Sequence, residues 1–144
     1  MPLVRKSVIV PHACATMFGL VDRVEDYPAF LPWCSRVDLI ERTDQVTAAR
    51  LHVDYHGLSV KLATRNLKEP PASMRLELVE GPFETFAGTW GFTALGDAGC
   101  RVEFVLDYAM AGGALDALLE PVFGQIAATL VDSFVARAEA VRGP

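Results

Sequence analysis

The sequence predicts an α+β fold in which a seven-stranded, curved antiparallel sheet wraps around one long C-terminal helix. Three observations support this prediction. One strand is followed by two short helices, six further strands are separated only by short turns, and the rest of the chain has helical spacing. Strands joined by such short turns pair antiparallel, because a parallel pair needs a long crossover. A sheet that curls around the last helix buries the apolar faces of both.

The first strand and the two short helices are predicted from changes in residue pattern. Residues Leu3 to Val10 end in the run Ser-Val-Ile-Val before Pro11, and β-branched residues favour a strand. Between Ala13 and Val24 apolar residues recur at spacings of three and four, which is typical of a helix that buries one face. A second helical piece is predicted over Val24 to Leu31, and prolines limit its length.

Six strands are predicted next, because runs of strand-forming residues are separated by Gly, Pro and Asp. The predicted strands are Arg36 to Arg42, Val46 to His56, Leu58 to Leu67, Met74 to Glu80, Phe83 to Leu95 and Arg101 to Met110. In the last of them the even-numbered residues are apolar or aromatic, and most odd-numbered residues are charged. One face of the sheet is therefore predicted to be apolar and the other solvated.

One long amphipathic helix is predicted to follow the strands. Gly112 and Gly113 interrupt the strand pattern, and apolar residues then follow helical spacing from Leu115 to Val135. Pro121 lacks a backbone N–H, so we expect the helix to bend there. The glycine pair provides a hinge, which makes this helix the expected gate to any space between helix and sheet.

Composition and charge narrow the classes of function. The chain has 144 residues, of which 51% are hydrophobic and 22% charged, so one compact domain with a generous core is expected and intrinsic disorder is excluded. The formal net charge is -5 and no basic run is present. This argues against DNA and against acidic membrane surfaces as general partners, because both reward clustered Lys and Arg.

The first residues and the cysteines indicate the compartment. Residues 1–10 match neither a signal peptide nor a membrane span, so we expect a soluble cytoplasmic protein. Cys14, Cys34 and Cys100 are odd in number and show no CxxC spacing. Reduced thiols are therefore expected, rather than a disulfide framework or a structural zinc site.

No residue set predicts catalysis or metal binding. His52 and His56 are four apart on one predicted strand, where about 13 Å would separate them, too far for one metal. A His12/Cys14 pair has no third residue to orient it for nucleophilic chemistry. No catalytic or phosphate-binding motif is present. We expect no catalytic residue, no metal site and no enzyme activity.

A cluster of aromatic residues and prolines covers Asp26 to Cys34. It either plugs the end of the sheet or forms the rim of an apolar cavity, where stiff rings bind a ligand with little loss of entropy. A hollow between sheet and helix and a fully packed core fit the apolar pattern equally well. Gly88 and Gly91, inside a predicted strand, would mark a bend or a missing side chain. Both pairs of alternatives remain open from the sequence.

Several segments together resemble the START-like (SRPBCC) family. They are Tyr27-Pro28-Ala29-Phe30-Leu31-Pro32-Trp33-Cys34, Thr64-Arg65-Asn66, Gly81-Pro82-Phe83, Gly88-Thr89-Trp90-Gly91-Phe92, Gly99-Cys100-Arg101-Val102 and Phe134-Val135-Ala136-Arg137-Ala138. Within the family they are most similar to the branch of the coenzyme Q-binding proteins and the ribosome association toxin RatA, often labelled polyketide cyclase/dehydrase. The resemblance implies a helix-grip fold and a single START-like ligand-binding domain over residues 1–144.

The resemblance also implies a function. It favours a non-enzymatic carrier or chaperone of a hydrophobic ligand, ubiquinone or a similar prenylated quinone, that supports respiration and contacts the inner membrane transiently. The alternative is a RatA-type toxin that binds the large ribosomal subunit and blocks subunit association, and a weaker one is a polyketide cyclase or aromatase. The net charge of -5 favours the carrier over an RNA-rich partner. Arg36, Arg42 and Arg50 nevertheless fall on neighbouring strands, where they could form a small basic patch.

Positions that match the family predict the lining of its apolar cavity. The candidate ligand-binding residues are Tyr27, Phe30, Leu31, Trp33, Leu51, Val53, Leu62, Phe83, Trp90, Phe104, Leu119, Phe123, Ile126 and Leu130. A bound ubiquinone-like molecule is the only cofactor-like group expected.

Overall fold

The computed structural model describes residues 3–114 and 116–141. The strands are β1 (Leu3–Val10), β2 (Cys34–Arg42), β3 (Val46–Tyr55), β4 (Leu58–Glu69), β5 (Ser73–Glu80), β6 (Phe83–Leu95) and β7 (Gly99–Met110). The helices are α1 (Cys14–Asp22), a 3-10 helix (Val24–Ala29) and α2 (Asp116–Val141). The predicted order of elements is confirmed, and differences are confined to the ends of elements. Leu115, the predicted start of the last helix, lies outside the described residues.

All seven strands form one antiparallel sheet, in the order β1-β7-β6-β5-β4-β3-β2. The first strand pairs with the last, β7, and consecutive strands pair from β2 to β7. The consecutive strands β1 and β2 therefore lie at opposite edges of the sheet. Register shifts occur in the β2–β3, β4–β5 and β6–β7 ladders. Bulges of this kind bend strands and increase their twist, which helps the sheet to curve around a helix.

Helix α2 supplies the other half of the core. Its buried residues recur at helical spacing, as the sequence predicts, and are Leu119, Val122, Phe123, Ile126, Ala127, Val131, Phe134 and Ala138. The helix continues through Pro121, which is exposed. By length and composition α2 could also cross a membrane, but the core helix of a soluble protein meets the same criterion, so this is weak support for a membrane span.

A disulfide joins Cys14, the first residue of α1, to Cys100 on β7. The expectation of three reduced thiols is wrong for this pair, and only Cys34, which is buried, remains a free thiol. Cysteines 86 residues apart give no spacing signal, and they meet because the β1–β7 register places Val10 opposite Cys100 just before α1 begins. Their Cα atoms are 5.2 Å apart, within the range of protein disulfides.

Charged groups tie the end of α1 to the sheet. Lys68 on β4 has a side chain that is only 4% exposed, and its Nζ lies 3.1 Å from Oδ2 of Asp22. Thr47 on β3 donates a hydrogen bond of 2.6 Å to the other carboxylate oxygen of Asp22. Arg42 binds Glu25 through two nitrogens, at 2.6 and 2.7 Å, and thereby holds the pKa of Glu25 below its usual value.

Candidate functional site: the cavity between sheet and helix

An apolar cavity of about 90 Å³ lies between the inner face of the sheet and α2. Strands β3 to β7, α1, the 3-10 helix and α2 all contribute to its wall. No charged side chain is present among the described residues that line it. The sequence left open whether the space between sheet and helix is hollow or fully packed. The structure has a cavity there.

Most of the residues predicted to line the cavity do so, namely Tyr27, Trp33, Leu51, Val53, Leu62, Phe83, Trp90, Phe104, Phe123, Ile126 and Leu130. Phe30 instead packs on the Phe134 ring at 5.3 Å and lies beneath the Arg137 guanidinium. Leu31 is fully buried in the packed core. Leu119 borders a separate groove beside Gly81-Pro82. Whether the lining residues contact a ligand stays a prediction.

Further residues line the cavity that the sequence prediction omitted: Val21, Val24, Thr64, Asn66, Leu76, Phe86, Leu106, Tyr108, Ala127 and Phe134. Patterning could have found several of them. Leu106 and Tyr108 share the parity of Phe104 on β7, and Phe134 continues the helical spacing of α2. Thr64 and Asn66 gave no such signal, because polar residues in a strand predict its solvated face.

The cluster of aromatic residues and prolines from Asp26 to Cys34 both plugs the end of the sheet and contributes to the cavity wall. Tyr27 and Phe30 pack against Phe134 on α2, with ring centroids 5.4 and 5.3 Å apart, and thus close one end of the core. Tyr27 and Trp33 also line the cavity. The Tyr27 hydroxyl donates to the backbone carbonyl of Val21, and burial raises the pKa of Tyr27, so it remains a protonated donor.

Three kinds of polar group lie in the apolar wall. The Thr64 hydroxyl donates to Oδ1 of Asn66 at 2.8 Å. The indole Nε1–H of Trp33 is buried and has no acceptor within residues 3–114 and 116–141. Burial and the nearby Glu120 carboxylate raise the pKa of Tyr108, whose hydroxyl therefore stays protonated at neutral pH. The wall thus presents N–H and O–H groups and no carboxylate.

The ladder between β5 and β6 is short. Their ladder runs from Ser73 opposite Gly91 only to Glu77 opposite Ala87, although both strands extend further. Leu76 and Phe86 border the cavity and also a groove on the outer face of the sheet. A Cβ added to Gly88 would lie 3.4 Å from both Leu76 and Leu106, an ordinary contact distance, so packing does not require glycine here and its expected role stays a prediction.

The predicted basic patch is neutralised by carboxylates. Arg36 pairs with Asp38 at 2.9 Å, Arg42 with Glu25 at 2.6 Å, and Arg50 with Glu80 at 2.7 Å. The expectation of a basic surface at these three arginines is therefore wrong, because acidic residues of β2, the 3-10 helix and β5 lie beside them. Hydrogen bonds to His52 and Arg36 lower the pKa of Asp38, and so this carboxylate keeps its charge.

The histidines form no catalytic or metal-binding group in the described residues. His52 pairs with Asp38 at 2.8 Å, and His56 is exposed at the β3–β4 turn. His12 is buried and lies 2.9 Å from Glu139 of α2, while Cys14 is held in the disulfide and cannot act as a nucleophile. No three His, Cys, Asp or Glu side chains come together to hold a metal in residues 3–114 and 116–141.

The curved sheet around a long C-terminal helix, with an apolar cavity between them, defines the helix-grip class of folds. The chain belongs to the polyketide cyclase / dehydrase and lipid transport family, whose sequence model matches residues 10–135. Its fold matches a solved aromatase/cyclase, Zhui from a Streptomyces species, with a TM-score of 0.83, 18% identity and coverage of 96% of this chain and 93% of that one.

Two relatives carry different functional names. The ribosome association toxin RatA of Pseudomonas aeruginosa is 38% identical over 140 residues, which cover 97% of each chain. The mitochondrial coenzyme Q-binding protein coq10 of Schizosaccharomyces pombe is 23% identical over 140 residues, which cover 94% of this chain and 85% of the relative. The resemblance to the branch of the START-like family that contains both kinds of protein is thereby confirmed.

Proposed function

We propose that this protein associates with the ribosome. The supporting observation is the identity of 38% over 97% of both chains to a protein named as a ribosome association toxin. The net charge of -5 favoured a quinone carrier over a ribosome-binding protein, and the proposal reverses that order. Net charge describes the whole surface, whereas docking uses one part of it, so an acidic chain can still present a matching face. The proposed target is the large subunit, with loss of subunit association as the consequence, in the cytoplasm.

Sucrose-gradient sedimentation tests this proposal. Purified protein is added in molar excess to intact ribosomes, and the expected result is a rise in free subunits together with co-sedimentation of the protein. An unrelated acidic protein of the same size is the control for net charge. Unchanged gradients at excess protein, with no protein in the ribosomal fractions, would contradict ribosome association.

We propose, as a second function, that the cavity binds a hydrophobic molecule. The apolar, uncharged wall supports this, and the coenzyme Q-binding relative supports a prenylated quinone as one such molecule. A volume of about 90 Å³ holds a small ring but not a long isoprenoid tail, so a quinone would bind only with α2 displaced. No catalytic set is evident among the described residues, and a non-enzymatic role stays a prediction because the family description includes cyclases and dehydrases.

Solvent extraction of the purified protein followed by mass spectrometry tests the second function. The native chain should yield an apolar molecule in stoichiometric amount. Ala127 lines the cavity, so Ala127→Leu should fill it and reduce the yield, whereas the exposed neighbour Ala128→Leu is the matched control and should not. Extraction that recovers nothing from native protein, together with no uptake of an added apolar probe, would contradict ligand binding.

A further inference from the structure

The first half of β4 has a neighbouring strand on one side only. Its pairing with β3 covers the whole hairpin and starts with Tyr55 opposite Leu58, whereas its pairing with β5 begins only at Ala63 opposite Glu80. Residues 58–62 therefore form a third strand edge within the sheet, in addition to the outer edges formed by β1 and β2.

The hairpin register shows which backbone groups point to this edge. The two-residue turn His56-Gly57 makes its closing pair a hydrogen-bonded one, and non-hydrogen-bonded and hydrogen-bonded pairs then alternate along the ladder. Ser59 and Lys61 are in non-hydrogen-bonded pairs, so their N–H and C=O groups point away from β3. In agreement, Asp54, opposite Ser59, directs its N–H away from β4 to the Trp33 carbonyl at 2.8 Å. The described part of the chain supplies no partner for the four groups of Ser59 and Lys61.

These four groups border the groove beside Gly81-Pro82. The groove has a volume of about 520 Å³, and Asp116 and Leu119 at the start of α2 also line it. Unpaired N–H and C=O groups at every second residue of a strand match the backbone of another extended chain, which is the basis of β-strand addition. The backbone of the groove therefore specifies an extended peptide as its occupant.

The charge of the groove determines the kind of peptide. The carboxylates of Asp54, Glu80 and Asp116 line it, together with one ammonium group, that of Lys61. Side-chain hydrogen bonds lower the pKa of Asp54 and of Glu80, so both stay ionised at neutral pH. Arg50 pairs with Glu80 and offsets one of the three negative charges, and a net negative charge remains. Electrostatic complementarity therefore favours a peptide with Lys or Arg side chains.

A ribosome offers partners of both signs. Its RNA is anionic, and proteins that bind RNA carry clustered Lys and Arg. The net charge of -5 and the neutralised arginines of β2 and β3 favour the protein component. We propose that the β4 edge binds an extended basic segment of a ribosomal protein, which adds as a strand beside Ser59 and Lys61. This inference rests on the proposed ribosome association and specifies its partner.

A fluorescent heptapeptide of alternating lysine and valine tests strand addition on the native protein. Fluorescence anisotropy measures its affinity, and the same peptide with glutamate in place of lysine should bind about tenfold more weakly. In ¹H–¹⁵N spectra the basic peptide should shift the amide resonances of Ser59 and Lys61 downfield and slow their exchange with water. The amides of Val60 and Leu62 already bond to β3 and are the internal reference.

Proline at position 61 tests the edge itself. Lys61→Pro removes the N–H that points into the groove but keeps the β3–β4 hydrogen bonds, which do not use it. It should weaken binding of the basic peptide about tenfold, because one hydrogen bond is lost and the ring occupies the edge. Lys61→Ala keeps the N–H and removes the cation, so it should instead strengthen binding about 2- to 5-fold. Ser59→Pro is the second variant if Lys61→Pro does not fold.

Sedimentation with ribosomes separates this inference from the function on which it rests. The native protein should co-sediment with the large subunit, and Lys61→Pro should not. If Lys61→Pro sediments like the native protein, or protein-free ribosomal RNA binds as tightly as intact subunits, the inference is overturned and ribosome association stands. The same holds if the basic peptide does not bind or leaves Ser59 and Lys61 unshifted. If the native protein does not sediment with ribosomes, both proposals are overturned.

Discussion

The two halves of α2 are held in different ways. In the C-terminal half, Phe134 packs against the rings of Tyr27, Phe30 and Trp90, and Glu139 binds His12. In the N-terminal half, Leu118 is 59% exposed and Phe123 meets a single ring, that of Phe83.

The connection before α2 extends this contrast. Gly112 and Gly113 have φ angles of 99° and 128°, a backbone region that favours glycine, so the segment can adopt conformations closed to other residues. The C-terminal half instead lies beside the start of α1, because Glu139 binds His12, two residues before that helix. The disulfide fixes α1 to β7, and the Lys68–Asp22 pair fixes it to β4. Stability is therefore concentrated at one end of the helix, and we expect the other end to open when a ligand enters.

The largest expected effect comes from truncating an aromatic residue in each half. Phe134→Ala removes contacts with three rings and should cost about 4–5 kcal/mol, near the upper end for buried phenylalanines. Phe123→Ala should cost about 3 kcal/mol, because its side chain packs on one ring and already borders empty space. Urea denaturation measures the free energy of unfolding of both variants. Equal losses of unfolding free energy would contradict the contrast between the two halves of α2.

Breaking the disulfide should have the next largest effect. The bond closes a loop of 86 residues, and its loss should lower the free energy of unfolding by about 2–5 kcal/mol. Burial raises the pKa of the Cys34 thiol to about 11, so a thiol reagent should label no cysteine in the native protein. It should label one after denaturation and three after denaturation with reduction.

Denatured protein that reacts at all three cysteines without reductant would contradict the disulfide. The control is Cys14→Ala/Cys100→Ala, whose stability a reductant should leave unchanged.

Neutralising the carboxylate at the end of α1 tests the second anchor. Asp22→Asn leaves the buried Lys68 ammonium without its partner and should cost about 3 kcal/mol. Asp38→Asn is the matched change at an open ion-pair site on β2 and should have a much smaller effect. Thermal unfolding measures the stability of both variants. If Asp38→Asn lowered stability as much as Asp22→Asn, burial would not determine the contribution of an ion pair.

The smallest expected effect is a dependence of stability on pH. Arg42 lowers the pKa of Glu25 in the folded protein, so the unfolded chain takes up the proton at a higher pH than the folded one. The stabilisation is complete above the ordinary pKa of glutamate and is lost as the pH falls through the lowered value. Melting temperatures between pH 7 and pH 3 should fall less steeply in Glu25→Gln than in the native protein. Parallel curves would contradict a contribution from this pair.

The sequence was sufficient for the order of elements and for much of the cavity. Turn residues between alternating runs determine antiparallel neighbours, and the parity of Phe104 with Leu106 or the spacing of Phe123 with Phe134 shows which face is buried. It was not sufficient where distant residues meet. Cys14 and Cys100 become neighbours only through the β1–β7 pairing, and Thr64 and Asn66 face the core as a mutually bonded pair, against the usual rule for polar strand residues.

Hydrogen exchange along α2 tests the difference between its two halves most directly. In the free protein, amides from Val122 to Gln125, beyond Pro121 and the unpaired first turn, should exchange faster than those from Leu130 to Ala138. An apolar probe that fills the cavity, added at ten times its Kd, should slow the N-terminal half about tenfold, because openings that release the probe become less frequent. Uniform exchange along the helix, or slowing confined to its C-terminal half, would contradict an opening at the N-terminal end.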